Sequence, residues 1–269
     1  MKKTVLITGA NSGFGYLTAL KFARNGYKVY ATTRYMSKEG VTNLLDIAKK
    51  ETLDVEWLVL DVTKNETIQQ AKTKIKHLDV LVNNAGFGMF GLVEEMSEGD
   101  IQTQFDTNFF GVFRTIKAFL PIMKEEKESY IINVSSVAGI ATFARYGIYS
   151  ASKFALEALT FALRLEVEKY NIRVAMVEPG SFKTNFGDNV KVIGEDRKSK
   201  KNSVLIKFQN KISKAFSHPE KVANKIYKLC QKNNPPLQNF VGLDANLVAF
   251  FKKVLPSWFW NALAKGINK

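Results

Sequence analysis

A tyrosine and a lysine four residues apart begin a helix-forming stretch, 146-YGIYSASKFALEAL-159. On a helix, Tyr149 and Lys153 share one face and lie about 6 Å apart along the axis. The three residues between them, Ser150, Ala151 and Ser152, are small, so a large group can lie against that face. The ordinary alternative is a packed tyrosine beside a solvated lysine.

A glycine-rich stretch, 8-TGANSGFG-15, follows the first apolar run of the chain. Gly9, Gly13 and Gly15 allow a tight turn and a close approach of the backbone to a pyrophosphate, which the N–H groups and dipole of the next helix attract. The spacing G-x-x-x-G-x-G differs from the commoner G-x-G-x-x-G pattern. The stretch predicts a dinucleotide site, and a turn without a ligand is the alternative.

The end of the second apolar run, 29-VYATTR-34, bears on the choice of cofactor. An acidic side chain there would accept hydrogen bonds from the adenosine ribose and favour NAD, whereas Arg34 can meet a 2′-phosphate. The sequence therefore favours NADP(H) over NAD(H), although Arg34 is equally consistent with a solvated surface residue. Asp61 either accepts from the adenine amino group or caps the helix that follows.

Strand-like and helix-like patterns alternate along the chain. Several strands are continuous Val/Ile/Leu runs, as expected for strands buried on both faces. We predict an α/β fold: one Rossmann-type, doubly wound domain over residues 1–269, with a mostly parallel seven-stranded sheet and helices on both faces. The predicted strands are 4–8, 28–33, 55–61, 79–84, 130–135, 172–178 and 239–242, and the helices lie near 14–25, 37–50, 64–76, 100–126, 149–170 and 219–233.

Composition limits the protein class. The 269 residues are 46% hydrophobic and contain a single cysteine, Cys230, which excludes an intrachain disulfide framework. The apolar run after MKKT is too short for a signal peptide, and no run approaches the roughly 18 residues of a spanning helix. We predict a soluble cytoplasmic protein.

The net charge of +14 is unevenly distributed. Residues 181–269 hold 17 Lys/Arg and 5 Asp/Glu, whereas residues 1–180 hold 22 and 20. The balanced first two thirds argue against nucleic-acid binding, and the basic last third requires its own explanation.

Six motifs together resemble the short-chain dehydrogenase/reductase family. They are TGANSGFG at 8–15, NNAG at 83–86, Asn108 in 106-DTNFFG-111, NVSS at 133–136, YSASK at 149–153 and PGSFKT at 179–184. Their order and spacing fit the family up to about residue 245. VYATTR and GFGMFGLVEE are similar to the branch of 17-beta-hydroxysteroid dehydrogenases.

The resemblance implies a carbonyl/alcohol oxidoreductase with Tyr149 as general acid/base. A phenol has a pKa near 10, and the Lys153 ammonium would lower it while holding the nicotinamide ribose. Ser136 would hydrogen-bond the substrate oxygen, and Ser135 belongs to the strand end. Asn108 would hold a water that relays protons to the lysine.

The resemblance also implies a set of cofactor contacts around the strand ends. Each of them has an ordinary structural alternative, such as a turn, a cap or a strand end. The set comprises Gly9, Asn11, Ser12, Gly13, Phe14, Gly15, Arg34, Asp61, Val62, Asn83, Ala85, Gly86, Tyr149, Lys153, Pro179, Gly180 and Thr184.

The substrate is predicted to be apolar. Phe87, Met89 and Phe143 are candidate substrate contacts beside Ser136 and Tyr149, with core packing as the alternative. In the family, the segment after the PG motif forms a lid, here residues 181–217. Its lysines suggest an anionic partner or a solvated loop.

The tail, residues 243–269, carries an aromatic and basic stripe that Pro256 interrupts. Leu243, Leu247 and Phe251 follow helical spacing. Three interpretations stay open: a helix over the substrate pocket, a subunit contact, or a peripheral membrane contact.

Other partners follow from the resemblance or from composition. The family suggests a homodimer or homotetramer, and His77 and His218 are read as surface residues with no metal site. Two further functions remain open, a reductase of carrier-bound 3-oxoacyl chains and a non-catalytic NADP-binding sensor or scaffold.

Overall fold

A seven-stranded parallel sheet forms the centre of the protein. The computed structural model describes residues 2–182, 190–194, 218–256 and 258. The strand order is β3-β2-β1-β4-β6-β7-β9, and every neighbouring pair is parallel. The predicted doubly wound α/β class is confirmed, and all seven predicted strands take part. Their bounds are β1 Thr4–Ile7, β2 Lys28–Thr33, β3 Val55–Val59, β4 Val80–Asn83, β6 Ser129–Val134, β7 Ile172–Pro179 and β9 Phe240–Val241.

Helices cover both faces of this sheet. They are α1 Gly13–Arg24, α2 Glu39–Lys50, α3 Asn65–Lys74, α4 Glu98–Phe105, α5 Gly111–Met123, α6 Gly147–Val167, α7 Glu220–Leu229 and α8 Leu243–Val254. Alternate strand residues enter two apolar cores: Val80 and Val82 pack on the α1 and α7 side, and Leu81 packs on the α3, α5 and α6 side. The continuous apolar strands are thus explained by burial on both faces.

The helix predicted over residues 100–126 is interrupted. A π-helical turn, Asp106–Phe110, separates α4 from α5. Such turns are frequent at functional sites because they shift side chains and free carbonyl groups from the regular ladder. The sequence prediction of one continuous helix was wrong here, and the interruption falls on the motif residue Asn108.

A second, two-stranded sheet lies outside the main one. Strand β5, Met89–Phe90, pairs in parallel with β8, Lys191–Val192. The Lys191 ammonium also contacts the Asp100 carboxylate at 2.6 Å, which lowers the pKa of Asp100 to about 2. Strand β8 belongs to the predicted lid. Most of residues 181–217 lie outside the described residues.

The beginning of the C-terminal tail forms α8 as predicted, and the helix ends just before Pro256. Its large apolar residues Leu243, Leu247, Phe250, Phe251 and Val254 are exposed, and within α8 only Ala245 is buried. The described part of the chain contains no helix long and apolar enough to cross a membrane.

Candidate active site

The glycine-rich turn between β1 and α1 forms a backbone cradle. Gly9 and Gly13 have φ angles of +67° and +55°, which side chains rarely adopt. A Cβ on Gly15 would lie 2.3 Å from the Gly9 carbonyl oxygen, so the turn can close only with glycine there. Ser12 leaves the start of α1 without a side-chain cap, and the first turn holds no acidic residue. A pyrophosphate fits this cradle.

Two predicted contacts of this turn, Asn11 and Phe14, have different surroundings. Asn11 lies under α2, because a Cβ on Gly40 would be 1.8 Å from the Asn11 carbonyl oxygen. The Phe14 ring packs edge-on against Phe182, with centroids 5.3 Å apart. A cofactor contact of Phe14 would therefore come from its backbone.

Arg34 directly follows β2 and is exposed, with its guanidinium carbon 5.7 Å from the Tyr35 ring centroid. No acidic side chain pairs with it among the described residues. Asp61 uses one carboxylate oxygen to accept from the Thr63 N–H (2.9 Å) and hydroxyl (2.8 Å), a local turn. Val62 is buried against Gly111.

The NNAG motif follows β4 and places its residues on different sides. The Asn83 side chain is 2% exposed and bonds inside the protein, donating to Asn133 (2.8 Å) and accepting from Thr115 (2.7 Å). Its side chain is thus unavailable to a cofactor. Ala85 packs on Gly9, and Gly86 is exposed beside Lys153, whose Nζ would be 3.8 Å from a Cβ at Gly86.

Tyr149, Lys153 and Ser136 come together where β6 ends and α6 begins. Ser136 follows β6 in extended conformation and caps a short turn, its hydroxyl accepting from the Ala138 N–H at 3.1 Å. It also hydrogen-bonds the Tyr149 phenol. Lys153 lies one turn further along α6, buried, and donates to the Val134 carbonyl at 3.0 Å. The side chains of Ser136, Tyr149 and Lys153 are therefore grouped where β6 ends and α6 begins.

Burial shifts both ionisable groups of this site. It raises the pKa of Tyr149 to about 12, against a smaller lowering by the hydrogen bond with Ser136. Burial lowers the pKa of Lys153 to about 8, opposed by the negative charge of Glu157. In both groups, burial disfavours the charged form. A positive charge close to Tyr149 would favour the phenolate and lower the pKa of Tyr149.

Asn108 lies in the π-helical turn and is fully buried. Its amide donates to the Phe87 carbonyl (3.0 Å) and the Ser152 hydroxyl (3.2 Å), and its carbonyl oxygen accepts from the Phe87 N–H (3.1 Å). The side chain therefore fixes the loop after β4 against α6. The predicted water-holding role of Asn108 stays a prediction.

The PG motif ends β7 at Pro179, next to the start of α8. A Cβ on Gly180 would lie 2.2 Å from the Asp244 carboxylate, which also accepts from the Ser181 N–H at 2.6 Å. The small size of Gly180 therefore serves the docking of α8 near the site. Thr184 lies outside the described residues.

Aromatic side chains extend from Tyr149 toward the small sheet. Tyr146 lies 6.4 Å from Tyr149 and 5.1 Å from Phe90 between ring centroids. The predicted substrate contacts are less uniform: Met89 is fully buried, whereas Phe87 and Phe143 are partly exposed. The partly exposed pair is thus better placed to meet a ligand.

Sequence reasoning missed several polar residues that hold the site together. Asn84 donates from its side chain to the carbonyls of Thr8 (2.9 Å) and Gly9 (3.1 Å), which ties the glycine turn to β4. Asn133 continues the buried chain from Asn83 to the Thr160 hydroxyl at 2.8 Å. The doubled asparagine of NNAG and the asparagine of NVSS were the available signals.

His77 lies at the opposite end of the strands, where β1 and β4 begin, and is more than an ordinary surface residue. Its Nε2 contacts the Asp79 carboxylate at 3.0 Å, and its Nδ1 contacts Glu126. One ligand atom from each of the three residues lies within 4.8 Å of the others. Because the two ring nitrogens meet different carboxylates, the ring bridges them. His218 is exposed.

A glycine cradle after β1 and a Tyr–Lys helix beside the end of β6, on the two sides of β4, are the features of a dinucleotide-binding α/β fold. A family profile described as "short chain dehydrogenase" matches residues 3–192. The chain belongs to the short-chain dehydrogenase/reductase family of oxidoreductases. It is 39% identical over 261 residues to a "3-ketodihydrosphingosine reductase" of Bacteroides thetaiotaomicron, covering 94% of this chain and 93% of the relative.

Solved structures agree with this fold. A short-chain dehydrogenase from Streptomyces avermitilis superposes with a TM-score of 0.83 at 31% identity, over 98% of both chains. A structure described as "ElxO with NADP Bound" has a TM-score of 0.74 at 30% identity, over 90% of this chain and 96% of the other. The family predicted from the six motifs is confirmed.

Proposed function

We propose that the protein is an NADP(H)-dependent oxidoreductase that interconverts a carbonyl and a secondary alcohol, with Tyr149 as general acid/base. The observation that carries this proposal is the convergence of the Tyr149 phenol, the Ser136 hydroxyl and the Lys153 ammonium beside the exposed Gly86. A non-catalytic sensor has no need of this arrangement. The complete set therefore favours turnover over the sensor alternative.

The residues divide the chemistry between them. When bound, NADPH supplies the hydride to the carbonyl carbon. Tyr149 donates its proton to the carbonyl oxygen, which Ser136 holds by a hydrogen bond. The Lys153 ammonium binds the ribose hydroxyls and stabilises the phenolate that remains. Alcohol oxidation follows the same path in reverse.

The choice of NADP(H) is supported by the exposed Arg34 at the end of β2 and the lack of an acidic residue at that position. A guanidinium recognises a phosphate through paired hydrogen bonds. The NADP in the ElxO structure, which shares 30% identity with this chain, agrees with this choice.

An apolar substrate is supported by the aromatic row beside Tyr149 and by the name of the Bacteroides relative, which denotes a long-chain ketone. We expect reduction of a long-chain 3-ketone such as 3-ketodihydrosphingosine. Carrier-bound 3-oxoacyl chains are the alternative. Their docking on the basic last third would weaken steeply with salt, because exposed charges are screened beyond about 10 Å at 0.1 M.

Two surfaces support the proposed partners. Phe154, Phe161 and Leu165 follow helical spacing and form an exposed apolar stripe on α6, which suits a homodimer or homotetramer. The exposed apolar face of α8, with Lys252 and Lys253 in its last turn, suits a peripheral membrane contact.

The test compares Tyr149→Phe with Tyr146→Phe, the same change one helical turn away. Loss of the acid should reduce turnover of the 3-ketone about 10²–10⁴-fold in Tyr149→Phe, while NADPH binding by fluorescence stays at the wild-type level. Tyr146→Phe should keep most of the activity. Turnover at the wild-type rate in Tyr149→Phe would remove the proposed role.

A further inference from the structure

Three side-chain oxygens on α6, on β7 and at the end of β6 are buried: Glu157 Oε1, Glu178 Oε1 and Ser135 Oγ. The rest of the Glu157 residue is partly exposed. A Cβ on Gly139 would lie 2.9 Å from both Glu157 Oε1 and Ser135 Oγ, so these two oxygens occupy the same small space. Glu178, near the end of β7, is fully buried, and the negative charge of Glu157 acts on it. Burying two carboxyl groups so close together is costly unless their charges are balanced.

Each carboxyl group has one oxygen with a hydrogen-bond partner and one without. Glu157 Oε2 accepts from the Gln238 side chain at 3.1 Å, and Glu178 Oε2 accepts from the Asn239 N–H at 2.6 Å. Glu157 Oε1, Glu178 Oε1 and the Ser135 hydroxyl are buried without a hydrogen bond of normal geometry among the described residues. The Ser135 hydroxyl is nevertheless close enough to Glu157 to lower the pKa of that carboxyl group. Packing alone does not explain two acids at this position.

Several charged or ionisable groups surround Lys153 and the two acids, Glu157 and Glu178. Lys153 faces Tyr149 one turn before it and Glu157 one turn after it on α6. Glu178 lies on β7, where burial and the negative charge of Glu157 raise its pKa and the positive charge of Lys225 of α7 lowers it. Burial raises the pKa of Glu157, and the hydrogen bonds from Ser135 and Gln238, followed by the Lys153 charge, oppose that effect. Burial, together with the charge of Glu157, raises the pKa of Glu178 to about 8.

We propose that Glu157 is a positioning residue that keeps the Lys153 ammonium charged in its buried place, while Glu178 stays protonated beside it. The proposal rests on the proposed function, because a charged Lys153 is what binds the ribose and stabilises the Tyr149 phenolate. One negative charge balances one positive charge, and a second carboxylate would repel the first. In this arrangement Glu157 is charged and Glu178 is neutral.

The experiment measures NADPH affinity by fluorescence from pH 5.5 to 9.5. Glu157 raises the Lys153 pKa, so its removal lowers that pKa and Lys153 loses its proton at lower pH. In Glu157→Gln, the pH at which affinity is lost should therefore fall by about one unit or more. Glu157→Asp should restore most of the wild-type profile. Glu166→Gln, the same change at an exposed position of α6, should match the wild type.

Two further variants decide between outcomes. Lys153→Met should bind NADPH weakly at every pH, and Glu178→Gln should move the midpoint less than Glu157→Gln does, because Glu178 becomes charged only near its pKa of about 8. The proposal is overturned by an unshifted midpoint in Glu157→Gln, by weak binding of that variant even at pH 6, or by a larger shift in Glu178→Gln than in Glu157→Gln. A wild-type protein with this pH dependence but no turnover would refute the proposed function and leave the role of Glu157 standing.

Discussion

Glu178→Gln should change how the stability of the protein depends on pH. Glu178 is fully buried, and its pKa of about 8 stands well above its ordinary value of 4.5. The unfolded chain therefore releases this proton first as the pH rises. The contribution of protonated Glu178 to the free energy of unfolding is therefore complete below pH 4.5. It is lost as the pH rises from about 4.5 to 8.

The size of this effect follows from the shift. Each unit of pKa difference corresponds to about 1.4 kcal/mol, so the wild type should lose about 3 kcal/mol by pH 7 relative to pH 4.5. Glutamine cannot ionise and avoids this loss. Its amide places an NH₂ where Glu178 Oε1 has no partner among the described residues, which costs about 1–3 kcal/mol at every pH.

The assay is urea unfolding followed by circular dichroism at pH 5, 6.5 and 8. Glu178→Gln should be less stable than the wild type at pH 5 and equal or more stable at pH 8. Glu166→Gln, at an exposed position, should show a pH-independent difference from the wild type. A constant difference between wild type and Glu178→Gln across this range would refute the buried, neutral state of Glu178.

Three further predictions concern cofactor and partners. Arg34→Ala should weaken NADPH binding by about 1.5–3 kcal/mol, roughly 10- to 100-fold, and leave NADH binding unchanged, because one charged hydrogen-bond donor to the 2′-phosphate is removed; equal loss for both cofactors would contradict this. Phe250→Glu should reduce sedimentation with anionic phosphatidylglycerol vesicles severalfold, whereas Leu45→Glu, an exposed site on α2, should not; equal sedimentation of both variants would exclude α8. Phe161→Glu should lower the mass measured by light scattering to that of a smaller oligomer, and an unchanged mass would exclude the α6 stripe as the contact.

The sheet was predictable because its strands are apolar on both faces. Each of the seven strands was found within a few residues, since Val/Ile/Leu runs bounded by polar turns leave few alternatives. The interruption of the helix at Asp106–Phe110 was not predictable, because DTNFF carries neither proline nor an internal glycine. Tertiary contacts of Asn108 with Phe87 and Ser152 accompany the π-helical turn there.

The direction of single side chains was harder to predict than the motifs. NNAG marks a strand end, but the pattern does not say which asparagine turns inward. Alternation along β4 resolves it: Val80 and Val82 face one core, so Asn83 shares the side of Leu81 and meets Thr115. Asn84 then faces Thr8. If the alternation of β4 had been continued into NNAG, it would have predicted that Asn83 and Asn84 face opposite sides.

The YSASK motif can be recognised in the sequence, but the acids that act on its lysine and on each other are harder to predict. Glu178 ends the run IRVAMVE and looks like an ordinary strand terminus, and Glu157 looks like the polar face of an amphipathic helix. Glu157 shares a helix with Lys153, whereas only the fold brings Glu178, near the end of β7, within reach of the charge of Glu157. A charged lysine inside a dry site nevertheless requires a partner, and the position four residues later on the same helix is where one can be sought. If Glu157 has the proposed role, the functional unit around YSASK includes the glutamate one helical turn after Lys153.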